Sequence, residues 1–310
     1  MSTENSPKAI IAALLANVGI AITKLVAWLL TGSSSMLAES IHSLADSGNQ
    51  ALLLVGGKRS ERPATKNHPF GFGRERYIYA FIVSIVLFTV GGLFALYEAY
   101  HKWHEVHDGH PNELLTSQWK WVPLVVLVAA IAMEGFSFRT AIAESNHIRG
   151  SASWLQFIRN AKAPELPVVL LEDFAALIGL ALALVGVSLT LATDNGYWDV
   201  AGTAGIGLLL VLVAITLAVE TKSLLLGEAA HEDKQELITA AVLDTPDAHE
   251  ILHMRTLHVG PDSLLVAVKI AVTPTESAQV VAQAIDAAEE RIRSVVPEAT
   301  YIFIEPDIKK

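Results

Sequence analysis

The chain has 310 residues, of which 52% are apolar and only 17% charged, and its net charge is −10. Soluble domains carry nearer a quarter charged residues, and apolar runs of about 20 mark membrane spans, so an ordinary soluble protein is excluded. The absence of cysteine removes disulfides, thiolate metal sites and cysteine nucleophiles together, and nothing is basic enough to suggest a nucleic-acid partner.

In chain order, the opening MSTENSPK is too short and too polar for a signal or transit peptide, so the first apolar segment is expected to remain as a span. Six segments, 9–31, 36–57, 77–100, 119–139, 165–191 and 198–220, are each long enough to cross about 30 Å of hydrocarbon as a helix. The connectors set the orientation. The 58–76 loop carries Lys58, Arg59, Arg62, Lys66, Arg74 and Arg76, and the 140–164 loop carries Arg149, Arg159 and Lys162 with Arg139 at its edge. The opposite connectors at 31–35 and 191–198 hold no Lys or Arg, and the 101–118 loop holds only Lys102. The positive-inside rule then predicts that both termini face the cytoplasm, with a bacterial plasma membrane as the expected location. Trp103, Trp119, Trp121, Tyr197 and Trp198 fall where an outer aromatic belt belongs.

Behind the spans the texture changes. From Thr221 onward 15 acids face 8 bases, which puts −7 of the −10 there. A helix over 231–243, strands over 251–260 and 263–272 around a Gly-Pro-Asp turn, an amphipathic helix over 277–296 and a strand over 299–306 give the order α-β-β-α-β. The expected fold class is thus a membrane all-α domain of six transmembrane helices at 1–222, followed by a small cytoplasmic α+β domain at 223–310.

Ionisable residues at membrane depth are costly and mark function. In the second span Glu39, His42, Asp46 and Asn49 recur at i, i+3, i+7 and i+10, which lines them along one helical stripe. The fifth span adds two adjacent carboxylates, Glu172 and Asp173. At a rise of about 1.5 Å per residue, Asp46 and Asp173 both reach mid-bilayer depth, roughly 10–15 Å from opposite faces. Adjacent helical residues point about 100° apart, so Glu172 and Asp173 cannot both face one point squarely. A divalent cation held by imidazole nitrogen and carboxylate oxygen, with zinc the natural occupant, suits His42, Asp46, Glu172 and Asp173, and protons compete for the same lone pairs. A proton relay without metal is the alternative.

With that stripe the chain resembles the cation diffusion facilitator family of metal transporters. The resemblance is carried by Thr31-Gly-Ser, by Leu37-Ala-Glu-Ser-Ile-His-Ser-Leu-Ala-Asp46, by Asn67-His-Pro-Phe-Gly-Phe-Gly-Arg-Glu-Arg76, by Leu225-Leu-Gly-Glu-Ala229 and by Phe303-Ile-Glu-Pro306. It implies a homodimer that exports zinc or a similar divalent ion in exchange for protons, without a resident cofactor, and a tail that acts as a metallochaperone-like dimerisation domain. The family's midplane ligands map to His42 and Asp46, to Asp173, and to position 169, which is a valine here, so that Glu172 is the expected substitute. Of a family site in the 58–76 loop only His68 matches, its usual neighbours falling on Thr65 and Phe72. In the tail His253 matches a ligand position, while Phe303 stands where a histidine often binds. Glu39 has no fixed ligand role there and is read as a candidate gate at the outer mouth.

Lesser signals carry plainer expectations. His101, His104, His107 and His110 read as a solvated histidine-rich outer loop, with transient metal binding near the exit as the sharper alternative. Lys24 is expected to snorkel or pair with an acid, Asn17 to bond a neighbouring helix, and Glu134 to be interfacial. His231, His249 and His258 read as surface histidines. Three competing functions stay open: transport of manganese, iron or cobalt, a metal-responsive membrane regulator without transport, and an intramembrane metallo-hydrolase. The last would need an H-E-x-x-H spacing, which the chain lacks.

Overall fold

The computed structural model describes residues 7–110, 112–246 and 250–308, with side chains from Asn17 onward. The helical part runs α1 (Pro7–Thr31), α2 (Ser34–Ser60), α3 (Glu75–Val86), α4 (Phe94–His107), α5 (Glu113–Thr116), α6 (Val122–Arg149), α7 (Trp154–Asn160), α8 (Glu165–Thr193) and α9 (Tyr197–Leu226). A π-helical stretch, Leu87–Leu93, joins α3 to α4 without a break. Among the described residues, four helices are long and apolar enough to cross a membrane: Glu75–His107, Val122–Arg149, Glu165–Thr193 and Tyr197–Leu226. The chain is a multi-pass membrane protein. The described apolar part of α1 is the shorter Asn17–Thr31. Helix α2 has 27 residues, but its polar stripe lowers its hydropathy, and that stripe turns inward, with Glu39, His42 and Asn49 all buried.

Two of the expected boundaries move furthest. The fourth apolar segment continues past 139 as helix to Arg149 and stops only at Gly150, whose φ of 56° an L side chain adopts at a cost. The 140–164 connector is therefore largely helical, with α7 inside it. The third segment runs on to His107, because its sequence offers no Pro or Gly between Phe94 and His107 to stop it. His101, His104 and His107 accordingly sit on the last turns of α4, and only His110 lies beyond the helix.

The chain divides into two compact units, 1–55 with 79–158 and 164–220, and 56–78 with 159–163 and 221–310. The first is the helical unit. Helix α6 packs on α8 and on α1, around a core that includes Met36, Val83, Leu87, Leu127, Leu180, Ile206 and Leu210.

The second unit holds α10 (Glu232–Leu243), β1 (Glu250–Gly260), β2 (Ser263–Ala271), α11 (Ala278–Val295) and β3 (Ala299–Asp307). All five elements fall close to their expected bounds. The sheet order is β1-β2-β3, with β1 antiparallel and β3 parallel to β2. A parallel β2–β3 pair needs a crossover, and α11 supplies it. Its first turn is capped by the Ser277 hydroxyl, which accepts from the Val280 amide. Helices α10 and α11 close one face over Ile238, Val242, Val266, Val268, Ile292 and Ile302. The other face carries Leu257, Leu265 and Tyr301 in one cross-strand row. The 56–78 segment, counted from the sequence as a plain loop, lies against this face. Phe70 meets Tyr301 edge-on at 5.1 Å, Arg76 pairs with Asp262 at 3.0 Å, and Gly73 approaches Gly260 so closely that a Cβ on either would stand 2.9 Å from the other's Cα.

Candidate metal centre

The polar residues of the helical unit separate into three groups. The first is an ion pair. Lys24 on α1 donates to Glu39 Oε2 at 2.9 Å and to Ser43 Oγ at 2.8 Å, and both charged side chains are 1% exposed or less. Glu39 fits because position 179 is glycine: a Cβ there would stand 2.7 Å from Glu39 Oε1. Lys24 pairs with an acid, and Glu39 is the acid. Asn17 donates across to Gln50 at 3.1 Å, the expected bond between neighbouring helices.

The second group caps α2. Asp199, 1% exposed at the start of α9, accepts from Ser33 Oγ at 3.0 Å, the Ser34 amide at 2.9 Å, Ser34 Oγ at 3.1 Å and the Ser35 amide at 3.3 Å. Its own amide donates to the Thr190 hydroxyl of α8 at 2.9 Å. A carboxylate at a helix N-terminus meets free amides and the positive end of the dipole, so this buried charge is held without a cation. Sequence reading passed over Asp199; three consecutive serines ahead of a span were the signal that a capping partner existed.

The third group is the candidate centre. His42 Nδ1 stands 3.3 Å from Asp46 Oδ1, one turn apart on α2. His42 is 1% exposed, neither of its ring nitrogens is hydrogen-bonded, and Asp46 Oδ1 is likewise buried without a hydrogen bond. Buried polar atoms are almost always satisfied, so two orphaned atoms facing each other need an account. Two donors at about 2.1 Å from one tetrahedral zinc lie about 3.4 Å apart, close to this separation. Asp46 also lines a small polar cavity together with Asp173 of α8, Glu134 and Ser137 of α6, Asn17 and Ile20 of α1, and Ser43 and Gln50 of α2. Ser137 donates to Asp173 Oδ2 at 2.9 Å. Glu172, one residue earlier, does not line this cavity: its Oε1 accepts from Asn49 Nδ2 at 2.7 Å, a bond between α8 and α2. The two adjacent carboxylates thus serve different neighbours, as their 100° offset requires. Glu134, expected to be interfacial, stands in the cavity instead.

The remaining candidates stand apart. His68 sits in a turn of the second unit, its amide bonded to Thr65 O at 3.1 Å and its ring 4.6 Å from that of Phe72. His253 is exposed on β1 beside Lys269, and Phe303 is 56% exposed. His231 is exposed and bonded to Asp233, His249 lies outside the described residues, and His258, expected at the surface, is 2% exposed. Burial lowers the His258 pKa below its usual value, Lys162 and Lys234 add to that, and the Gly260 backbone and Glu298 pull it back. Among the described residues, no three His, Asp or Glu side chains are already gathered to hold a metal ion.

Comparison with known proteins shows the family. The cation efflux transmembrane domain matches residues 10–226. The chain is 32% identical over 242 residues to the mitochondrial proton-coupled zinc antiporter SLC30A9 of Xenopus laevis, covering 76% of this chain and 41% of that protein. It is 24% identical over 309 residues to the magnetosome protein MamB of Magnetospirillum gryphiswaldense, covering 95% and 92%. Among solved structures, the nickel form of a MamM CTD variant aligns at 16% identity over 26% of this chain and all of that one, with a TM-score of 0.25. The chain spans about two fifths of the length of the SLC30A9 relatives it matches. It belongs to the cation diffusion facilitator family of metal transporters.

Proposed function

We propose that the chain exports a divalent cation, zinc foremost, from the cytoplasm in exchange for protons, by alternating access around a mid-membrane site. One observation carries this reading: the buried, unbonded nitrogen–oxygen pair of His42 and Asp46, at chelating separation, beside a cavity that Asp173 enters from a different helix. His42, Asp46 and Asp173 supply the ligands, and Glu172 steadies Asn49 and so holds α8 against α2. An imidazole with carboxylates favours zinc over harder ions, and protons compete for the same atoms, which gives the exchange its chemical basis. The names of the SLC30A9 relatives support the same cargo and coupling.

In this reading α1 and α2 are spans as well, making six, because the polar groups that lower the hydropathy of α2 turn into the bundle and away from lipid. Basic connectors put both termini in the cytoplasm, and the tail joins two chains into a homodimer. The test is zinc uptake by sealed vesicles holding the full chain. Uptake should rise when the interior is made acidic, because protons arriving at the trans side displace the metal. Indifference to the pH gradient would remove proton exchange; no zinc uptake at all would remove the transport reading. Asp46→Ala and Asp173→Ala should each abolish uptake while the protein still elutes as one folded species.

A further inference from the structure

The geometry points to Glu134 of α6 as a third helix's carboxylate ligand to the transported cation, completing a set with Asp46 of α2 and Asp173 of α8. This rests on the transport reading above and adds a residue that neither the helix stripe of α2 nor the acidic pair of α8 contains.

Three observations converge. First, the small cavity beside Asp46 is framed by residues of four helices and lined almost wholly by polar groups, among them Ser43, Gln50 and Ser137. Polar cavities inside a helical bundle hold water or ions, since lipid-like interiors leave such groups unsatisfied. Second, the pair behind the cavity wall, His42 Nδ1 and Asp46 Oδ1, is buried and without hydrogen bonds, and faces itself as two ligand atoms of one ion would. Third, the alternative supply of negative charge is committed elsewhere, Glu39 to Lys24 and Glu172 to Asn49. Among the described residues, Glu134 has no hydrogen bond or ion pair of that kind, and it shares the cavity with both proposed carboxylate ligands.

The position of α6 makes this mechanically sensible. Ser137 stands one helical turn after Glu134, and its hydroxyl already holds Asp173. One face of α6 therefore carries both a candidate ligand and the group that orients a second one. Helix α8 contributes a single carboxylate to the cavity, and Glu134 adds a third to those of Asp46 and Asp173. The His42 nitrogen, beside Asp46 and not on the cavity itself, makes the fourth donor that a tetrahedral ion takes. The resulting set, one nitrogen and three carboxylates, is richer in oxygen than a two-histidine site and should accept manganese or cobalt more readily.

The experiment compares Glu134→Gln, Glu134→Asp, Glu172→Gln and Asp46→Ala in the full chain, reconstituted in sealed vesicles, with zinc uptake measured against zinc concentration. Glu134→Gln should raise the half-saturating zinc concentration by about 10- to 100-fold, the range seen when groups supporting a metal site are removed. Glu172→Gln should change it by less than about threefold, since an amide still bonds Asn49. Manganese uptake relative to zinc should fall in Glu134→Gln. An unchanged half-saturation in Glu134→Gln, with Asp46→Ala inactive, overturns the role of Glu134 and leaves the transport site standing. If folded Asp46→Ala transports like the parent, the site itself is misplaced and Glu134 falls with it. Should Glu134→Gln not fold, Glu134→Asp decides: shortening by one methylene must weaken zinc by at least about threefold, and parent-like uptake overturns the assignment.

Discussion

Lys24 and Glu39 show how a charge is kept inside this bundle. Each is buried, the two are paired through Glu39 Oε2, and the glycine at 179 leaves the room that the other carboxylate oxygen needs. Removing one member of a buried pair leaves the other uncompensated and costs about 3–5 kcal/mol, whereas removing both is often nearly neutral. Lys24→Met should therefore lower the thermal midpoint of the detergent-solubilised protein sharply, and Lys24→Met with Glu39→Gln should recover most of the loss. A double variant as unstable as the single one would mean that Lys24 matters for packing and not for charge. This pair was half legible in the sequence: the lysine's need for an acid followed from its depth, but periodicity gave no reason to choose Glu39 over any other. The His42 and Asp46 pair was fully legible, because i and i+4 on one helix fix their separation locally. Glu134 was not, because its surroundings come from helices far apart in sequence.

At the level of elements, the tail was read almost residue by residue, since its strands and helices alternate with clear periods and turn residues. Burial inside those elements was harder to read. His258 looked like one more polar residue on β1, yet it is covered in the finished sheet. Because its folded-state pKa lies below the unfolded value, the folded tail prefers the neutral ring. Its contribution is present above about pH 6.5 and is lost as the pH falls below that value, where the unfolded chain binds the proton more readily. Calorimetry of the full chain from pH 7.5 to 5.5 should show the tail transition moving down through this window, and His258→Gln should flatten the trend. An equal slope in both proteins would assign the pH sensitivity to other groups. The helix ends at His107 and Arg149 were missed for a related reason: loss of apolar character marks the membrane surface, and a helix has no obligation to stop there.

Taken whole, the chain does not divide at one point. The sheet unit recruits 56–78 and 159–163, so the segments after α2 and before α8 belong with it. Lys162 pairs with Glu228, and Gly73 meets Gly260 backbone to backbone. Gly73→Val should push the 56–78 segment off the sheet, since a side chain there collides with backbone that cannot rotate away. Limited trypsin digestion should then cut at Arg74 or Arg76 in the variant and spare them in the parent, with the sheet intact by circular dichroism. Equal protection would show that the contact is dispensable. No sequence pattern announces such docking, because a glycine chosen for close approach looks the same as one chosen for a turn.

The cap that Asp199 places on α2 also constrains the order of events on the ribosome. Its hydroxyl and amide partners at Ser33, Ser34 and Ser35 are about 165 positions upstream, so they leave the exit tunnel long before the carboxylate exists. Lys24, by contrast, precedes Glu39 by 15 residues and can neutralise it while both are new. The second helix is thus made with its Glu39 charge paired and its leading end bare, and in lipid a bare helix end is expensive. It can settle at full depth only after the last span has been synthesised and folded back. Nascent chains halted before Asp199 should leave the Ser33–Ser35 end open to a water-soluble thiol reagent at an introduced cysteine, and chains released beyond the ninth helix should close it.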